Sequence, residues 1–145
     1  MQYRAFTQRR LQFPNQRLIH EEGLETCFAR HLLHHRALKA GLGALGLEYS
    51  AQAGHQLPML NAVHIPSGVD DAWVRGALLQ RFGIEIGAGL GPFKGRVWRI
   101  GLMGYGARAN NVWVFLGALE QLLAEQGYRF DQGASLSAAN AIYAQ

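Results

Sequence analysis

Lysine and cysteine are two residues that this sequence has in very short supply. Its lysines are Lys39 and Lys94, so chemistry that needs a lysine nucleophile has two candidate positions. The single Cys27 excludes an internal disulfide, and the N-terminal stretch MQYRAFTQRR contains no apolar run that could act as a secretory signal. We therefore expect a reducing, cytoplasmic location. Because charged residues interrupt the apolar regions, we expect no membrane span and no membrane partner.

Charge is also sparse, at 17% of the 145 residues. Subtracting the two lysines from the 14 basic residues leaves twelve arginines, which carry almost all of the formal net charge of +4. These arginines form no run longer than Arg9-Arg10 and no basic cluster interleaved with aromatic residues, so we expect no nucleic-acid partner. A length of 145 residues with 49% apolar residues is typical of one globular domain that builds a core without disulfides or metals.

The spacing of apolar residues predicts an α+β fold. A stripe at intervals of three and four predicts one long helix over residues 17–45, and its members are Leu24, Phe28, His31, His35, Leu38, Leu42 and Leu45. Shorter patterns predict strands at 47–50, 60–66, 84–86 and 96–103. Further helices are predicted from Asp70 or Asp71 to Gly83, from Asn110 or Asn111 to Gly127, and near the C-terminus up to Tyr143. This order predicts an open, mainly antiparallel sheet with helices packed on one face.

Two glycine-rich segments match phosphate-binding patterns only in part. The segment GLGALG at 41–46 fits the letters of the dinucleotide-binding pattern, but a helix precedes it and a strand follows, which is the reverse of the order that brings phosphate to a helix N-terminus. We interpret it as a helix stop. The loop GAGLGPFKG at 87–95 lacks the Gly-Lys-Ser/Thr ending of a P-loop and leads into a strand. Neither segment predicts a phosphate site.

Three histidines lie close together in the first helix. His31 and His35 are four residues apart, which is the spacing of a helical metal pair, and His34 lies beside them. No third ligand follows at a recognisable spacing, and the rest of the stripe is leucine and phenylalanine. We therefore favour packed or partly exposed histidines over a metal site.

Arg99 is the most informative residue of the predicted strand at 96–103. Alternation directs Trp98, Ile100 and Leu102 to the core face, and Val97, Arg99, Gly101 and Met103 to the other face. Arginine is the side chain best shaped to hold a carboxylate with two parallel hydrogen bonds, and Gly101 leaves room for a ligand. The spacing alone favours the alternative of an arginine on a solvated sheet face.

Around Arg99 the sequence resembles a known family. The motifs GLGP at 89–92 and VWRIGLMGYGARANNV at 97–112 are similar to the C-terminal small domain of the class V, fold-type-I aminotransferases, in particular the alanine–glyoxylate and serine–pyruvate aminotransferase group. The likeness continues upstream at 84–86, 57–58 and 19–24, and downstream to Gly127. It thus covers residues 17–145 as one small domain and leaves residues 1–16 as an unmatched N-terminal extension.

The resemblance implies a substrate-binding role. In that family the arginine of this strand binds the α-carboxylate of the amino or keto acid substrate, which assigns that role to Arg99. Gly89 and Gly91 would lie near the active-site mouth. The family's cofactor is pyridoxal 5′-phosphate, bound to a lysine of a preceding large domain, and neither Lys39 nor Lys94 matches that lysine. The resemblance therefore implies a truncated product with no catalytic residue of its own, which neither binds the cofactor nor catalyses transamination alone.

Two other functions remain open. The chain could be a non-catalytic binding or regulatory module that associates with a separately made large domain or an intact homologue, or a carboxylate sensor that works through Arg99. The Arg99 face, which a large domain would cover, is expected to be open. An open face predicts self-association, with a second copy or a large domain as the partner.

Overall fold

The computed structural model describes the backbone of residues 14–145 and the side chains of residues 17–145. In this part of the chain, five helices and three strands form an α+β fold, which is the fold class that the sequence predicts. Their bounds are α1 Pro14–Glu22, α2 Leu24–Ala44, β1 Leu60–His64, α3 Asp71–Phe82, β2 Gly87–Ala88, β3 Val97–Gly101, α4 Ala109–Glu125 and α5 Ala134–Tyr143. Short 3₁₀ turns lie at Gly91–Phe93 and Gly104–Gly106.

The single long helix predicted over residues 17–45 is wrong, because the chain forms two helices there. Gly23 separates α1 from α2 with a φ of 84°, a backbone conformation that favours glycine. The predicted apolar stripe also begins too early. Leu24 and Phe28 are 57% and 61% exposed, whereas the stripe is buried from His31 onward. At the other end the prediction holds, since Gly46 takes a φ of 74° and the segment 41–46 ends α2.

The sheet has three antiparallel strands in the order β1-β3-β2. The predicted strands at 60–66 and 96–103 are present in shorter form, and single backbone hydrogen bonds extend their pairing at both ends, from Ile65 to Arg96 and from Leu102 to Met59. The predicted strand at 47–50 is reduced to an isolated bridge between Tyr49 and Val63.

The strand predicted at 84–86 is wrong, and the chain pairs with β3 only at Gly87–Ala88. The cause lies in the end of α3. The backbone N–H groups of Gly83 and Ile84 donate to the carbonyls of Leu79 and Leu78, which closes the helix around a left-handed Gly83. Ile84 is therefore bonded to the helix end, and the chain joins the sheet three residues later than the apolar pattern suggests.

The two faces of the sheet differ in their surroundings. Val63, Trp98 and Ile100 point toward the helices and belong to one core that includes residues of α2, α3, α4 and α5. On the opposite face, Ala62 and Arg99 are half-buried and His64 and Gly101 are exposed. This confirms the predicted packing of helices on one face. We call the second surface, formed by residues 60, 62, 64, 87, 97, 99 and 101, the open face; Val97 pairs with His64 on it as predicted, but unlike its neighbours it is buried, with 2% exposed.

Helix ends confirm some of the predicted caps. Asp70 accepts a hydrogen bond from the Trp73 N–H at 2.9 Å and caps α3. Gly127, with a φ of 75°, closes α4 as predicted. The predicted cap by Asn110 or Asn111 is wrong, because α4 begins at Ala109 and the Asn111 amide instead donates to the Gly106 carbonyl at 2.9 Å.

Candidate carboxylate-binding site

Arg99 lies at the middle of the central strand, on the open face. Its direct neighbours across the sheet are Ala62 in β1 and Gly87 in β2. Alanine and glycine are the two smallest residues, so neither of them places a side chain beside the guanidinium. The register therefore leaves the long arginine side chain unobstructed on both sides.

One hydrogen bond fixes the direction of the guanidinium. Arg99 Nε donates to the Ala88 carbonyl at 2.7 Å, so the side chain crosses from β3 over β2. A Cβ built on Gly87 would lie 3.1 Å from Arg99 Nη2, which places the guanidinium directly over the Gly87 backbone. The side chain is thus held against the sheet and does not extend freely into solvent.

The terminal nitrogens of Arg99 have no partner among the described side chains. The ion pairs found over residues 17–145 use other arginines, namely Arg17, Arg30, Arg75 and Arg81. Within the same residues, no buried side-chain nitrogen or oxygen lacks a hydrogen bond, and Arg99 as a whole is half-buried. A tethered guanidinium with two free terminal nitrogens is suited to bind a carboxylate from outside the chain.

The two positions predicted near the site require glycine for different structural reasons. Gly89 follows Ala88 and is buried, and a Cβ there would overlap the carbonyl of Phe93. Gly91 starts the 3₁₀ turn with a φ of 55° and is exposed. Gly89 is therefore adjacent to the residue that anchors Arg99, whereas no contact joins Gly91 to Arg99 among the hydrogen bonds of the described side chains. Their role at a substrate mouth stays a prediction.

A cleft of about 280 Å³ lies on the helix side of the sheet and is lined by Ile100, the residue next to Arg99. Its walls come mainly from three segments, namely residues 83–86, residues 100–102 at the end of β3 and the first half of α4, and Leu38 and Gly106 complete the lining. The sequence gives little sign of it, since its lining comes from three segments that are far apart along the chain.

Neither lysine fits a cofactor aldehyde. A Schiff-base lysine has to be desolvated and directed at the cofactor. Lys39 is exposed on α2, where its Nζ donates to Gln56 Oε1 at 2.6 Å, and Lys94 is exposed after the 3₁₀ turn. The lysines of this chain therefore do not fit pyridoxal phosphate as a covalently bound group.

The three histidines of α2 are buried, as the packed interpretation predicts. His31 Nδ1 is 2.7 Å from the Cys27 carbonyl, and its Nε2 accepts the Gly104 N–H at 3.1 Å. His34 contacts the Tyr143 hydroxyl at 2.9 Å. Burial lowers the pKa of His34 and of His35. Over the described residues, no group of three or more metal-ligating side chains comes together.

Sequence reasoning missed a buried polar network beside β3. Asn61 Oδ1 accepts the Tyr49 hydroxyl at 2.9 Å and lies 2.6 Å from His35 Nδ1, while its Nδ2 donates to the Ile100 carbonyl at 3.3 Å. Burial raises the pKa of Tyr49 above its ordinary value. Asn61, a residue of β1, thus connects His35 of α2 with the carbonyl of Ile100 in β3, and Ile100 is the residue next to Arg99. A detectable signal was the position of a polar Asn61 on the same strand face as Val63.

In the described part of the chain, none of the helices has the length and apolar character needed to cross a bilayer.

No family model matches the chain, but the known sequences that resemble it include several aminotransferases. The chain is 44% identical over 127 residues to the (S)-ureidoglycine–glyoxylate transaminase of Bacillus subtilis, covering 88% of this chain and 30% of that protein. It is 40% identical over 107 residues to the alanine–glyoxylate aminotransferase of Callithrix jacchus, covering 73% and 26%. It is 34% identical over 122 residues to the pyridoxamine–pyruvate transaminase of Mesorhizobium japonicum, covering 83% and 31%.

Solved structures show the same relationship. The crystal structure of the Bacillus subtilis ureidoglycine–glyoxylate aminotransferase superposes with a TM-score of 0.86 at 43% identity, over 89% of this chain and 33% of that one. The pyridoxamine–pyruvate aminotransferase of Mesorhizobium loti superposes with a TM-score of 0.82 at 34% identity, over 88% and 33%. The chain thus spans about a third of the length of the relatives that it matches.

Proposed function

Because the chain belongs to the class V, fold-type-I aminotransferases, we propose that it acts as their C-terminal small domain, with Arg99 binding the α-carboxylate of an amino or keto acid. The observation that carries this proposal is the arrangement of the guanidinium on the open face. Nε is tethered to Ala88, while Nη1 and Nη2 have no hydrogen-bond partner within the described part of the chain. The names of the relatives support the ligand class, since alanine, glyoxylate and pyruvate all bear a carboxylate next to the reacting carbon.

We further propose that the chain does not catalyse transamination alone. Pyridoxal phosphate, the cofactor of the family, supplies the electron sink for transamination when bound to an activated lysine. Both lysines of this chain are exposed, and neither lies on the open face. Gly89 and Gly91 would shape the substrate side of the site, and residues 17–145 would form the domain, with 1–16 as an extension. We place this domain in the cytoplasm, for which the single cysteine is the support.

The ligand proposal is tested by titrating the purified chain with alanine, glyoxylate and pyruvate and following by NMR, in each variant, the backbone amide signals of Gly87 and Gly101, which lie beside Arg99 on the open face. Arg99→Ala should weaken binding by about 10- to 100-fold, because it removes a charge-assisted pair of hydrogen bonds. The matched control is Arg96→Ala, which removes the same charge from an exposed position three residues away. Equal losses in the two variants would show that net charge, and not the Arg99 site, attracts the ligand.

The proposal of inactivity has its own measurement. The chain is mixed with pyridoxal phosphate, and we expect no absorbance of a lysine-bound cofactor and no turnover of alanine with glyoxylate. Formation of a stable lysine adduct together with turnover would make this part of the proposal wrong.

A second candidate function, a non-catalytic module that associates with a large domain or an intact homologue, is favoured by one surface. Leu24, Phe28 and Leu32 are spaced by four residues along α2 and are 57%, 61% and 39% exposed. An exposed apolar row of this kind is typical of a protein contact. Capture of an intact class V aminotransferase by the chain, lost on Phe28→Glu, would support this function. No association at micromolar concentration would contradict it.

A further inference from the structure

We infer that Gly87 is a positioning residue for Arg99, and that the guanidinium receives a carboxylate end-on, through Nη1 and Nη2. The inference rests on the proposed carboxylate-binding function and adds to it the residue that orients the side chain and the edge that binds. Gly87 and Ala88 together form β2, so the shortest strand of the sheet would serve to direct this arginine.

The binding edge follows from the geometry of the guanidinium. Its five N–H groups form two edges that can each donate two parallel hydrogen bonds to a carboxylate, one made by Nε with a terminal nitrogen and one made by the two terminal nitrogens. In this structure Nε donates to the Ala88 carbonyl at 2.7 Å. The first edge is therefore occupied by the chain itself, and only the second edge is available to a ligand.

The need for glycine at position 87 follows from the distances around it. A Cβ there would lie 3.1 Å from Nη2, 3.3 Å from Nε and 3.4 Å from Cζ of Arg99. A methyl group would thus press on three atoms of the guanidinium at once, and the guanidinium would have to move away from β2 by a few tenths of an ångström, which should weaken the bond to Ala88. Backbone conformation gives no competing reason, because Gly87 is not among the glycines with positive φ.

Gly101 provides a matched control on the same face. It also has no positive φ, and a Cβ there would meet only the terminal methyl of Met103, at 3.1 Å. Because that methyl ends a flexible side chain, Gly101→Ala can be accommodated by a change of the Met103 rotamer. It places a methyl group on the open face without touching Arg99.

The test measures the Nε–H signal of Arg99 by NMR in the full chain, with Arg99→Lys used to assign it. In the unsubstituted chain we expect this proton to exchange with solvent about tenfold or more slowly than that of the exposed Arg96, because it is hydrogen-bonded. Gly87→Ala should remove that protection, and Gly101→Ala should keep it. Equal exchange at Arg99 and Arg96 in the unsubstituted chain would overturn the inference even where Gly87→Ala does not fold. So would retained protection in a folded Gly87→Ala variant.

Acetate is the probe for the binding edge. End-on binding predicts that acetate shifts the Nη signals of Arg99 while the Nε–H stays protected, and loss of protection on binding would overturn the end-on assignment. Absence of any Arg99 response to acetate, alanine or glyoxylate would instead refute the proposed carboxylate function. The protection of Nε–H in the Gly87 variant would still decide the positioning role separately.

Discussion

Glu120→Ala should be the most destabilising single change to a charged residue of α4. Glu120 is buried, and its carboxylate lies at the N-terminus of α5, which has no cap of its own at Gly133. Oε1 accepts the Ser135 N–H at 3.0 Å and the Ser135 hydroxyl at 2.6 Å, and Oε2 accepts the Gly133 N–H at 2.9 Å. One helix therefore supplies the cap and the favourable negative charge for another.

The magnitude depends on which donors water can reach after the substitution. Gly133 is exposed, so its N–H exchanges one partner for water at little cost. Ser135 is fully buried, and both its donors lose their acceptor. At about 1–3 kcal/mol for each of the two buried donors left without a partner, Glu120→Ala should lower the free energy of unfolding by about 2–6 kcal/mol. Glu120→Gln keeps one carbonyl oxygen and should cost less.

Urea unfolding followed by far-UV circular dichroism measures the loss, with Glu125→Ala as the control. Glu125 lies on the same helix and forms a surface ion pair with Arg81 at 2.7 Å, so its removal should cost only about 0–1 kcal/mol. Amide exchange should also accelerate first in α5, which packs on α2 and α4. If Glu120→Ala and Glu125→Ala are equally stable, the carboxylate does not cap α5 and the reasoning fails.

Two further predictions concern pH and association. Because burial lowers the pKa of His34 and of His35 in the folded chain, the unfolded chain binds protons first on acidification. The free energy of unfolding should therefore fall as pH drops below about 6.5, by at most about 1.4 kcal/mol per pH unit for each histidine ring. Urea unfolding at several pH values measures this dependence. A free energy of unfolding that stays constant between about pH 7.5 and 5.5 would contradict it. Beside the open face lies Met103, which is 57% exposed and whose terminal methyl is 3.1 Å from the position of a Cβ on Gly101, so sedimentation equilibrium should show self-association that Met103→Glu reduces. A chain that stays monomeric at every concentration would count against an apolar open face.

Features set by neighbours along the chain could be predicted from the sequence. The alternation in β3 correctly assigned Trp98, Ile100 and Leu102 to the core, because strand side chains alternate whatever the partner strand is. Gly83 and Gly127 ended their helices where predicted, since left-handed closure is a local property of glycine. The family resemblance around residues 89–112 is confirmed by the relatives and by the superposed structures.

Features that depend on which segments meet could not be predicted in this way. The apolar pattern at 84–86 favours a strand, but the closing bonds of α3 take up that backbone. The exposure of Leu24 and Phe28 depends on where the other helices stop covering α2, which helical periodicity does not contain. The cap of α5 comes from Glu120, thirteen residues before Gly133, and so appears in no local capping pattern.

The same division applies to the candidate site. The sequence by itself determined that Arg99 lies on the face opposite the core, and the resemblance assigned it a carboxylate. Only the tertiary structure decided that Gly87 stands opposite Arg99 and that Ala88 holds its Nε. The reason is that the register of β2 on β3 is a relation between two segments. The closing hydrogen bonds of α3 at Gly83 and Ile84 come first, and the chain pairs with β3 only at Gly87 and Ala88. Alternation within β3 could establish the face of Arg99, but not the strand that orients it.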